Sequence, residues 1–331
     1  MSVFAAAVLF TGVMAYAVLG GADYGAGFWD LTAGGAERGR GPRHLIDEAL
    51  APVWEANHVW LIFCLVMLWT GFPRAFAAIM TTLYIPLGLA ALGIVARGSG
   101  FAFRKVMVRT DEQRVTGATF AFSSVLTPFF LGTVVGGIAS GRVPSAGYGD
   151  PVSSWTNPTS LLGGALAVLV TAYVAAVFLT AEARRRDDAE LEAWFRRRAV
   201  VTAAVVGVVA LAGIAVLRAD APRLFDRLLG PGLPLVIVSG LSGLAALVLL
   251  RRGAPRLLQG LAVLAVAAVI AGWGAAQYPY LLGTHLTIDA AAAPTPTLWA
   301  LTIVAAAALV LVVPSMALLF VLGQRGRLES S

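Results

Sequence analysis

The chain has 331 residues, 59% of them hydrophobic and only 13% charged, with a mean hydropathy of +0.82. That balance excludes an ordinary soluble globular domain and predicts an all-α polytopic membrane protein, a single integral membrane domain over residues 1–331. The net charge of +6 lies in short breaks between apolar runs, which fits the positive-inside bias of membrane proteins and implies no nucleic acid.

Apolar runs that can cross about 30 Å of hydrocarbon occur over residues 3–25, 54–72, 75–96, 115–138, 159–183, 199–217, 232–250, 257–278 and 298–322, which predicts nine transmembrane helices. No Lys or Arg precedes the first run, which argues for a retained helix and against a cleaved signal peptide. Only Gly71, Phe72, Pro73 and Arg74 separate the second and third runs, so a tight helical hairpin is expected there. Cys64, the single cysteine, sits inside the second run and can form no intrachain disulfide. Residues 184–198, RRRDDAELEAWFRRR, read as a solvated, self-paired loop in contact with anionic lipid. Connections 141–160 and 278–297 are rich in Gly, Pro, Ser and Thr and read as ordered outer loops, either able to dock a partner subunit. Most of the 24 Lys and Arg fall in connections after odd-numbered spans or in the C-terminal tail, which predicts an outer N-terminus and a cytoplasmic C-terminus.

Depth then singles out the ionisable groups. Counting 1.5 Å per residue from Val3, Asp23 lies about 30 Å along the first helix, near the inner boundary. The second helix runs the other way, so Glu55 and His58 also belong to the inner half, on neighbouring positions of one face. Carboxylates and an imidazole at that depth are costly and can pass protons inward through bridging water. The blander readings are a helix-end acid among headgroups for Asp23 and a first-turn acid for Glu55. Asp30, beside Trp29, reads as an interfacial residue next to an aromatic anchor. Gly21 and Gly25 have the small-xxx-small spacing of close helix packing. His58 is weighed as a haem ligand against a histidine hydrogen-bonded to Glu55 or a neighbouring helix, and the latter is the ordinary case. His44 and His285 lie in loops, and no cysteine cluster, phosphate-cradling loop or Ser/His/Asp set is evident, so the chain alone looks catalytically incomplete.

Two motifs carry a resemblance. YAVLGGADYGAG, residues 16–27, resembles the Asp-Gly-Phe-Asp-x-Gly segment of subunit II of cytochrome bd-type quinol oxidases, with Asp23 on its second acid and Gly20 on its first. APVWEANHVWL, residues 51–61, resembles that family's Trp-Asp-Gly-Asn-Gln-Val-Trp-Leu motif, matching Trp54, Glu55, Asn57, Val59 and Trp60. Supporting likenesses run through RGSGFAFRK (97–105), NPTSLLGG (157–164) and YPYL with LTIDAA (278–291). The resemblance implies two four-helix bundles, over 1–138 and 159–278, with a peripheral ninth helix at 298–322. It implies a heterodimer with a haem-bearing subunit I that holds haems b and d and the quinol site, in the cytoplasmic membrane, with small single-helix subunits, lipid and a structural quinone as further companions. This chain would then hold no haem, stabilise its partner and supply Asp23 and Glu55 to a proton-uptake path, while Trp54, Asn57, Trp60, Gly21 and Gly25 support it. The departures mark a divergent branch: Gly20 removes one acid, Glu55 replaces Asp, and Ala56 and His58 replace Gly and Gln. Two rivals are a proton-coupled secondary transporter built on Asp23, Glu55 and His58, and a purely structural membrane partner.

Overall fold

The structure is a computed structural model that describes residues 1–35, 37–50, 54–106, 110–250 and 255–324. Nearly all of it is helix, as an environment without water to satisfy backbone groups requires. Helix α1 spans Ser2–Thr32, longer than the expected 3–25, so Asp23 stands about 14 Å short of its end rather than at it. The first connection contains a short amphipathic helix, α2 (Arg40–Leu50), whose Leu45 and Ile46 are buried.

The expected hairpin between two full spans is instead a bend short of a reversal, in a helix pair that can count as one broken span. Helix α3 (Trp54–Gly71) meets α4 (Pro73–Thr82) at 116°, with Pro73 opening α4. The third expected span, 75–96, is not one helix: it divides at Leu83, and α5 runs Tyr84–Val106. Pro86 has no N–H to offer the Thr82 carbonyl, which is where the ladder gives way. Helix α6 (Thr110–Ala139) is followed by α7 (Pro158–Arg185), capped by Asn157, whose side chain accepts from the Ser160 amide. Within 184–198 only 186–188 form a connection, and the rest belongs to the helices on either side rather than to a loop. Asp187 turns the chain at φ 57°, Asp188 caps α8 (Ala189–Asp220) through the Leu191 amide, and Phe195 is fully buried. Rather than pairing within this stretch, Arg186 pairs outside it, with Glu182 of α7 at 3.1 Å and with Glu48 of α2.

A second bend, of 78°, joins α9 (Pro222–Leu229) to α10 (Leu233–Leu249), and α11 (Pro255–Gln277) packs against α10. The expected all-α chain contains one small sheet: β1 (Tyr280–Leu282) pairs antiparallel with β2 (Leu286–Thr287), followed by α12 (Ile288–Ala291) and α13 (Thr295–Gln324). This connection folds onto its own chain at the α3–α4 bend, where Ala293 N–H donates to Gly71 O at 2.8 Å and Arg74 Nη1 donates to Ala290 O at 3.1 Å. Among the described residues, six helices are long and apolar enough to cross a membrane, or up to eight if each bent pair is one span, against the nine expected.

Helix α7 is enclosed by four others. Ala172, Val174, Ala175, Ala176 and Val177 are at most 1% exposed, because α1, α6, α8 and α11 surround them. Small residues let these helices approach closely, which is the main source of association between helices in lipid. By contrast α8 and α10 turn Val208, Leu211, Ile214, Leu241 and Leu244 outward, an apolar surface suited to lipid or another membrane subunit.

Candidate functional site

The close approach of α1 to α7 sets the position of everything else in the site. At Gly25 the α1 backbone lies against the Thr171 carbonyl, and a Cβ there would overlap it. Trp29 Nε1 donates to Ala172 O at 2.8 Å and pins the same crossing one turn further on. Gly21, also named from the sequence, faces the Thr171 methyl, 3.3 Å from an ideal Cβ, closer than ordinary van der Waals contact. With that face of α1 fixed on α7, Asp23 points toward α5 and α6.

There it meets Arg97. Arg97 Nη2 donates to Asp23 Oδ1 at 2.7 Å and to Asp23 O at 3.1 Å, and both side chains are at most 1% exposed. Arg97 Nη1 donates to Ser124 Oγ, which in turn donates to Phe120 O at 2.6 Å. The guanidinium is stacked between two rings, 4.9 Å from the Tyr24 centroid and 4.5 Å from that of Phe120. Gly27 leaves room for the hydroxyl of Ser124, and Pro128 removes the helical donor of the Ser124 carbonyl one turn along α6. Asp23 Oδ2 and Arg97 Nε are buried and make no hydrogen bond among the described residues. The pair is therefore charge-neutral but not saturated: one carboxylate oxygen is still available to a proton or a water.

The sequence reading counted Arg97 with the basic residues of an inner connection; the structure places it inside α5, fully buried. Asp30 is likewise not a bare interfacial acid, since it is 5% exposed and receives Arg43 Nε of α2 at 2.8 Å. His58 of α3 is brought against α1, its ring 6.3 Å from Tyr16 and 6.0 Å from Tyr24 between centroids. The Tyr16 and Tyr24 hydroxyls are hydrogen-bonded to each other at 3.0 Å. Asn57 is buried beside His58 in sequence, and Trp60 is buried edge-on to Phe63 at 6.2 Å. Trp54 and Glu55 fall in the first turn of α3, and their side chains lie outside the described residues. The structure thus unites Asp23 with Arg97, and His58 with two tyrosines, none of which the sequence reading had paired.

A haem needs an axial nitrogen or sulfur in an enclosed pocket. His44 is exposed on α2 beside Glu48, His285 lies in the β1–β2 turn, and the ring neighbours of His58 are tyrosines. Among the described residues no group of three His, Cys, Asp or Glu side chains could hold a metal ion.

Comparison with known proteins gives a consistent answer. The family model described as cytochrome bd terminal oxidase subunit II matches residues 1–322. Cytochrome bd ubiquinol oxidase subunit 2 of Bacillus subtilis (strain 168) is 27% identical over 216 residues, 65% of this chain and 62% of that protein. Cytochrome bd-I ubiquinol oxidase subunit 2 of Escherichia coli (strain K12) is 28% identical over 210 residues, 61% of this chain and 53% of that one. The matched region is thus between half and two thirds of these curated relatives. A chain of the bd oxidase structure from Geobacillus thermodenitrificans superposes with a TM-score of 0.82 at 26% identity, covering 96% of this chain and 97% of that one.

Proposed function

Because this chain belongs to the cytochrome bd terminal oxidase subunit II family, we propose that it is the non-haem subunit of a quinol:oxygen oxidoreductase in the cytoplasmic membrane, paired with a haem-bearing subunit I. The haems of that partner supply the reduction of oxygen to water. This chain supplies helix surface against the partner and part of a proton path from the cytoplasm, entered near Glu55 and running past Asp23. In this reading the N-terminus is outside, the two four-helix bundles and the peripheral ninth helix follow the family arrangement, and single-helix subunits, lipid and a structural quinone complete the assembly.

The observation that carries the proton role is the unsaturated Asp23–Arg97 pair. A lone carboxylate at this depth would be prohibitively costly, and Arg97 makes its charged form tolerable. When Asp23 takes a proton on its open oxygen, Arg97 loses its counter-charge but not all of its contacts. It keeps Ser124, the Asp23 carbonyl and the two flanking rings. The acid can therefore change protonation without a second group having to move, which is what a relay site needs. Glutamate at position 55 retains a titratable carboxyl with about one methylene more reach than aspartate.

Purification tests the assembly. Tagged and extracted from membranes, the chain is expected to bring down a haem-bearing membrane partner at one to one, with quinol-driven oxygen consumption. A solitary chain without haem absorbance, moving a solute in liposomes, would overturn the reading in favour of a transporter.

A further inference from the structure

Position 20 on α1 has no side chain, and the Tyr16 ring fills the space one would take: a Cβ at Gly20 would stand 2.8 Å from Tyr16 Cε2 and 2.9 Å from Cδ2. Folded over Gly20 in this way, Tyr16 meets the hydroxyl of Tyr24 at 3.0 Å, edge to face, with ring centroids 6.5 Å apart. Tyr24 is 2% exposed and is the residue next to Asp23; its ring also carries the Arg97 guanidinium. On the α3 side, the His58 ring stands within 6.3 Å of both tyrosine rings. The result is a contiguous polar cluster of two hydroxyls and an imidazole in otherwise apolar helices. It reaches from the level of Asp23 about 10 Å along α1, the rise of the seven residues back to Tyr16.

We infer that the Tyr16–Tyr24 hydroxyl pair, flanked by His58, is the proton relay that continues from Asp23 toward the middle of the membrane, and that Gly20 exists to admit the Tyr16 ring. The inference rests on the proton-uptake reading above. Each hydroxyl accepts a proton on its oxygen and releases its own to the next acceptor, so one proton passes and both phenols end neutral. Rotation about the two C–O bonds resets the chain. A tyrosine hydroxyl both donates and accepts, and His58 can do the same through its two nitrogens, so the cluster has the donor–acceptor continuity that a phenylalanine at either position would break.

The test uses the purified complex of this chain with its haem-bearing partner, assayed for oxygen consumption with excess quinol in H2O and D2O. Tyr16→Phe and Tyr24→Phe are each expected to lower turnover by about tenfold and to raise the solvent isotope effect, with quinol KM and the reduced-minus-oxidised spectrum unchanged. Gly20→Ala keeps both hydroxyls but displaces the Tyr16 ring, and is expected to lower turnover in the same way. If Tyr24→Phe loses the haem signals, Tyr16→Phe decides, because its ring is only half-buried and its loss of one oxygen leaves no cavity. Turnover within about twofold of the parent in the tyrosine variants, while Asp23→Asn is slow, would overturn the relay and leave the uptake reading standing. Parent turnover in Asp23→Asn and Glu55→Gln as well would remove the uptake reading, and the relay with it.

Discussion

Among the described residues, two of the carboxylate–arginine pairs, Asp23–Arg97 at 2.7 Å and Asp220–Arg142 at 2.6 Å, are nearly equal in length and do different things. Asp220, at the end of α8, accepts from Arg142 Nη1 and Nη2 at 3.1 and 2.6 Å and from Thr159 N and Oγ1 at 3.0 and 2.5 Å. Its side chain is 14% exposed, and both of its oxygens accept hydrogen bonds. That arrangement ties the α6–α7 connection, the start of α7 and the end of α8 together, and leaves nothing for a proton to do. Asp23 is 0% exposed and keeps one oxygen open. Pairing alone therefore does not mark a functional acid; burial combined with incomplete hydrogen bonding does.

The contrast predicts a ranked set of effects. The largest belongs to Arg97→Met, which strands the Asp23 carboxylate in the interior and is expected to cost about 3–5 kcal/mol or prevent assembly, read as the melting temperature of the purified complex. Adding Asp23→Asn to that variant removes the stranded charge and should restore much of the loss; no recovery would mean that Arg97 acts through its ring contacts rather than through Asp23. Next comes Asp220→Asn, where an amide nitrogen replaces an acceptor facing Arg142 and Thr159. A stability loss of about 1–3 kcal/mol is expected, with oxygen consumption per haem unchanged, and slowed turnover would erase the distinction between the two pairs. Gly25→Ala is expected to cost about 1–3 kcal/mol by forcing α1 away from the Thr171 carbonyl, with Asp23 displaced and turnover lowered alongside stability. The smallest effect sits in the α6–α7 connection at Asp150. Hydrogen bonds from the Ser153 and Val152 amides hold this carboxyl below its ordinary value of 3.8. A depressed pKa stabilises the fold above the ordinary value and ceases to as pH falls through the native one. The Asp150→Asn complex should therefore lack a small acid-induced loosening of the loop that limited proteolysis detects in the parent below about pH 4.

Which of these features could be read from the sequence depended on range. The apolar runs and the break at Gly71–Arg74 follow from hydropathy, which is local. Arg97 was hidden because a charge at the end of an apolar run ordinarily marks a loop, and its partner lies 74 residues away on another helix. The nearest local hint is that Gly98, Ser99 and Gly100 are small enough to let a helix continue close to a neighbour, as Gly100 does against the α6 backbone at Thr116 and Phe120. The charged stretch 184–198 carried a readable signal: Asp188 followed by Glu190 and Glu192 is the pattern of a helix start. Its high charge outweighed that signal in the sequence reading. The division at Leu83 was missed because apolar character runs unbroken through it, and only Pro86 speaks against a single helix.

The most direct test of the central claim is the turnover of the Asp23→Asn complex with excess quinol, measured on the same sample as its reduced-minus-oxidised spectrum. Asparagine keeps the size of the side chain and a carbonyl for Arg97 but cannot take up and release a proton. Full haem signals with oxygen consumption lowered by about tenfold or more are predicted. Full haem signals with parent turnover would contradict the assignment of Asp23 to the proton path and leave the chain a structural partner.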